Sequence, residues 1–60
     1  MMGYNSIHIG SLVQLKVSGY RGIVVAQEQS RHPTKYTRYL IHFNDTHRET
    51  WHMESEIEQI

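Results

Sequence analysis

At sixty residues the chain has room for one domain with a modest core, since a chain this short buries only about 60% of the surface its unfolded form exposes. It has no cysteine, which excludes disulfides and thiolate metal sites and suits a reducing cytoplasm, and no apolar run approaches the ~18 residues that cross a bilayer. Six basic and six acidic side chains cancel, but unevenly: Lys16, Arg21, Arg31, Lys35 and Arg38 outweigh Glu28 before residue 45, and Asp45, Glu49, Glu54, Glu56 and Glu58 outweigh Arg48 after it.

The opening Met1-Met2-Gly3-Tyr4 lacks the basic and apolar regions of a secretory signal, so a cytoplasmic protein is expected. Residues 1–8 read as a tail whose last residues join a sheet, with the domain proper spanning 9–60. Gly10-Ser11 opens a strand in which Val13, Leu15 and Val17 alternate with Gln14 and Lys16. Ser18-Gly19-Tyr20 breaks it. Gly22 to Gln27 forms a second strand, whose run Ile23-Val24-Val25-Ala26 predicts burial on both faces. From Gln29 to Thr37 the pattern vanishes, and Ser30-Arg31-His32-Pro33-Thr34 has loop chemistry, since Pro33 offers no N–H to a ladder.

The third strand is the clearest, with Tyr39, Ile41 and Phe43 alternating with Leu40 and His42. Asn44-Asp45-Thr46-His47 is a turn, because Asn and Asp tolerate positive φ and close local backbone bonds. A fourth strand runs from Arg48 to His52, Met53-Glu54-Ser55 forms one helical turn, and Glu56 to Ile60 a last short strand with Ile57 inward. Two registers are open to the hairpin. A two-residue loop places Arg48, Thr50 and His52 on the face of Tyr39, Ile41 and Phe43; a three-residue loop with a bulge places Trp51 opposite Ile41 and Glu49 opposite Phe43. The second gathers the large apolar groups on one side, which predicts Trp51 in the core.

Five short strands with a helical turn before the last are the plan of an all-β, SH3-like small barrel. Gly10-Ser11-Leu12-Val13 through Gly19-Tyr20-Arg21-Gly22-Ile23-Val24 resembles the first two strands of KOW and Tudor-type domains. Tyr39-Leu40-Ile41-His42-Phe43-Asn44-Asp45, followed by Glu49, Trp51 and Ile57, is similar to the Tudor strand-turn-strand. The family usually has a Gly after that Asp, where this chain has Thr46-His47; a His enters the left-handed region less comfortably. The resemblance implies a binding module whose first loop and 29–38 loop lie at one end and frame a groove. It also implies an aromatic cage for a methylated cation, here Tyr20, Tyr39, Phe43 and Asp45. Ordinary core packing competes for Tyr39 and Phe43, whereas Tyr20 has no evident core role.

The partner-binding residues expected are Tyr20 and Arg21 on the first loop with Arg31, Lys35, Tyr36 and Arg38 on the second. Arg31, His32, Lys35, Tyr36 and Arg38 bring cations and an aromatic together without an acid, the combination that phosphate contacts and base stacking use. A pI of about 7.0 weighs against nucleic acid and toward a protein partner. No metal site is expected, since zinc asks for three or four converging ligands, and no cofactor or catalytic motif is present. The expectation is a small non-enzymatic accessory protein, of a size seen in bacteria and phage, acting as a monomer or weak dimer on a protein partner, with RNA or DNA as the alternative.

Overall fold

The computed structural model describes residues 7–29 and 36–60. They form five antiparallel strands: β1 (Leu12–Leu15), β2 (Arg21–Gln29), β3 (Thr37–Phe43), β4 (Arg48–Met53) and β5 (Ile57–Gln59). A single 3-10 turn, Glu54–Glu56, precedes β5. The strand order is β4-β3-β2-β1-β5, so three consecutive hairpins make a meander and the last strand returns to pair with the first. This is the all-β, five-stranded plan read from the alternating segments, and the helical turn falls within one residue of its expected place.

The core is built from the positions that period-2 alternation selects. Val13, Val24, Tyr39, Ile41, Phe43 and Ile57 are buried in one cluster, with Leu15 packed against it. Ile7, expected in the tail, joins them at 5% exposure. Gly22 sits on the same inner face, opposite Val13. A Cβ there would come within 2.5 Å of the His42 carbonyl oxygen and 2.6 Å of Ile41 Cγ2, so only glycine lets β2 approach β3 this closely.

Two expectations about strand faces are corrected. The run Ile23–Ala26 is not buried on both sides: Val24 is inward, Val25 is 40% exposed and the ladder shifts between Val24 and Ala26. That bulge inserts one unpaired residue, and no second layer covers the outer face among the described residues. The β3–β4 register is also one residue from the preferred one. Phe43 pairs with Arg48, Ile41 with Thr50 and Leu40 with Trp51, so Trp51 points outward and is 42% exposed. The turn decides this. Asn44–His47 is a four-residue loop closed by His47 N–H on the Phe43 carbonyl at 2.8 Å, and it fixes the pairing whatever β4 carries.

The acidic C-terminal quarter does not stay apart from the basic remainder. β4 and β5 occupy opposite edges of the sheet. Its carboxylates meet partners on other elements: Glu58 accepts from Gln14 Nε2 at 2.8 Å and Glu49 lies 3.2 Å from His42 Nδ1.

Candidate functional site

Two turns of the same construction lie at one end of the sheet. In the first, Lys16–Gly19 connects β1 to β2, with Gly19 N–H on the Leu15 carbonyl at 2.8 Å and Gly19 at φ +78°. In the second, Asn44–His47 connects β3 to β4, with the same bond at the same length and His47 at φ +54°. The residues that follow the two turns, Tyr20 just before β2 and Arg48 at the start of β4, face a shared cleft.

The cleft has a volume of about 430 Å³, within the range of pockets that accept a small ligand or side chain. Leu15 and Phe43 form its apolar base. Tyr20 and Arg21 line one side, Asp45 and Thr46 the turn, and Arg48, Thr50 and His52 the side made by β4. The observed register accounts for that last side: it turns the polar face of β4 inward, where it walls a cleft rather than completing the core. Tyr20 is 64% exposed, so its ring is available to a partner.

Hydrogen bonds fix the β4 wall. His52 Nδ1 lies 2.8 Å from Glu56 Oε1 and its Nε2 lies 2.6 Å from Thr50 Oγ1. In the neutral ring, Nδ1–H donates to the carboxylate and Nε2 accepts from the hydroxyl. The ring also meets Phe43 edge-on, at 6.0 Å between centroids and 88° between planes. A carboxylate–imidazole–hydroxyl chain is the arrangement that hydrolases use to activate a nucleophile. Here the chain runs from Thr50, on an exposed strand, to Glu56 in the 3-10 turn. Its evident effect is to tie β4 to the 3-10 turn.

Of the residues named for an aromatic cage, the cleft brings together Tyr20, Phe43 and Asp45. Tyr39 is elsewhere, buried in the core at 6% exposure. Burial, and secondarily Glu54, raises its phenol pKa above the ordinary value. Most of the 29–38 loop expected to frame a groove with the first loop lies outside the described residues. β2 is nine residues long, roughly 30 Å at ~3.3 Å per residue, and separates Arg21 from Gln29. In a meander successive connections alternate ends, so the partner of the first turn is the Asn44–His47 turn. Arg31 and Lys35 lie outside the described residues.

At the far end, Tyr36 and Thr37 border a smaller hollow of about 220 Å³ with Met53, Glu54 and Ser55. Beside it on the outer face, Arg38 is bonded to Glu28 and lies 5.0 Å over the Trp51 ring. The Glu28 bond raises the Arg38 pKa further above its ordinary value. Sequence reasoning assigned no site role to Arg48, Thr50 and His52, because it placed their alternation on the solvent face. The available signal was the polar i, i+2, i+4 pattern itself, which the two-residue-loop register would have set facing Tyr39, Ile41 and Phe43. The observed register puts His42 and His52 on opposite faces, and no group of three metal-ligating side chains converges among the described residues. No helix there is long and apolar enough to cross a membrane. Comparison with protein-family models, curated proteins and solved structures finds no match to this chain.

Proposed function

We propose that the chain is a small SH3-like binding module, Tudor- or KOW-like in plan, that engages a protein partner and catalyses no reaction. The observation that carries this reading is the cleft between the two turns: about 430 Å³, apolar at its base, charged at its rim and flanked by the exposed Tyr20. Exposed aromatics beside such hollows are the usual anchors of protein interfaces. The cysteine-free composition suits a module working in the cytoplasm, as a monomer or weak dimer.

Nucleic acid is the second reading, and one observation favours it. Trp51 and Tyr36 are 42% and 39% exposed, with Arg38 over the indole, and Tyr36 and Arg38 follow the basic 30–35 stretch directly in sequence. Exposed rings among cations serve base stacking. Affinity capture from the native host, with and without nuclease, separates the readings. A nuclease-resistant partner lost on Tyr20→Ala supports the protein-binding cleft. A nuclease-sensitive one, indifferent to Tyr20→Ala but lost when Arg31, Lys35 and Arg38 become Ser, transfers the function to the far end. In that case the affinity should also fall log-linearly with salt.

A further inference from the structure

Charge in the cleft is unequally committed. Three ionisable groups of fixed sign line it, Arg21, Arg48 and Asp45, so cations predominate. Arg21 Nε already donates to Gln14 Oε1 at 3.4 Å, and Gln14 donates in turn to Glu58. His52 is occupied on both ring nitrogens by Thr50 and Glu56. Arg48 has no acidic partner within ion-pair distance among the described residues, and Asp45 has no basic one. The open valences of the cleft are therefore the Arg48 guanidinium, across the ladder from Phe43 of the apolar base, and the Asp45 carboxylate on the turn.

A methylated cation fits this poorly. It would meet one carboxylate against two guanidiniums, and the third ring of the expected cage, Tyr39, is in the core. A carboxylate fits better, because arginine's planar fork can bond both of its oxygens at once. Resting on the reading of the cleft as the partner site, we propose that its occupant is an acidic peptide segment. The carboxylate of that segment pairs with Arg48 while a neighbouring apolar side chain rests on Leu15 and Phe43. Asp45, at the rim, opposes this guest and restricts it to segments whose carboxylate reaches Arg48.

The test is an amide-resonance titration of the full chain with three blocked peptides: Ac-Gly-Leu-Glu-Gly-amide, its Gln counterpart, and one with trimethyllysine in place of Glu. The Glu peptide should perturb the Tyr20, Thr46 and Thr50 amides and bind at least about fivefold more tightly than the other two, as expected of a charge-assisted pair. Arg48→Gln should remove that preference. Asp45→Asn should strengthen Glu-peptide binding by about twofold, a gain that damage to the fold does not produce. If the Gln or trimethyllysine peptide perturbs the same amides equally well, the acidic chemistry is wrong and the cleft still binds. If none of the three moves those resonances, the cleft reading falls with it.

Discussion

His47 holds a left-handed conformation, at φ +54°, that glycine holds in the twin turn at Gly19. The two turns close with the same bond at 2.8 Å, so one is a template for the other. A left-handed L-residue costs roughly 1–2 kcal/mol, of which glycine's greater unfolded-state freedom takes back about 0.5–1. His47→Gly should therefore stabilise the fold by about 0.5–1 kcal/mol, read as a higher urea midpoint at unchanged slope; a lower midpoint would mean that His47 contributes contacts outweighing its strain. Tyr39 supports a second expectation. Its phenol is held above the ordinary tyrosine pKa by burial first and Glu54 second. The folded state keeps this proton more tightly than the unfolded chain, whose tyrosine releases it near pH 10. Stability linked to the neutral phenol is thus complete below about pH 10 and is lost as pH rises through the folded value. Urea midpoints should fall more steeply above pH 10 in the native chain than in Tyr39→Phe, and parallel curves would contradict the burial argument.

β4 is the element in which hydrophobic pattern and observed placement disagree. Arg48, Thr50 and His52 face inward and Trp51 outward, the reverse of what apolar alternation selects. Trp51→Ala should accordingly cost about 1 kcal/mol, against the 3–5 typical of a buried Trp. Indole emission should be that of a partly hydrated ring and open to an aqueous quencher. A blue-shifted, unquenched spectrum would return Trp51 to the core and the hairpin to the other register. β3, and β1 as far as Leu15, were legible because their pattern and packing agree: Val13 and Leu15, then Tyr39, Ile41 and Phe43, mark the inner face by alternation, whereas Val17, third in the β1 alternation, is fully exposed in the turn. The bulge at Val25 was not, since an inserted residue changes parity without changing composition. Tyr20 could be singled out because a bulky ring beside a tight turn has little to pack against. Arg48 could not, because its place in the cleft depends on a register set by turn geometry, and Thr46-His47 signals no loop length as an Asp-Gly would.

Among the described residues the outer face of the sheet is uncovered, and the chain has no excess charge to keep copies apart. Across the sheet Leu12 stands opposite Ile23, and Ala26 opposite Leu40, which in turn pairs with Trp51. Leu12, Val25, Trp51 and Ile60 are 55%, 40%, 42% and 57% exposed. Among the described residues β4 and β5 are both unpaired on their outer sides. Exposed apolar surface and free edges promote self-association, and net charge is the main force opposing it. Here the formal charge is zero at pH 7 and the pI about 7.0. Below the pI the net charge of the chain is positive by definition, and it grows as pH falls. Solubility and inter-particle repulsion should therefore be lowest near neutral pH and rise between pH 7 and pH 5, as measured by light scattering at fixed low ionic strength. Added salt should weaken the rise by screening it. Leu12→Lys isolates the cause, because it places a charge on the outer face where half the side chain is already in water. It should raise solubility at pH 7 and leave the melting temperature within a degree or two, as surface substitutions usually do. A chain equally soluble from pH 5 to pH 7, or a Leu12→Lys variant that melts much earlier, would show that the outer face is not open to solvent.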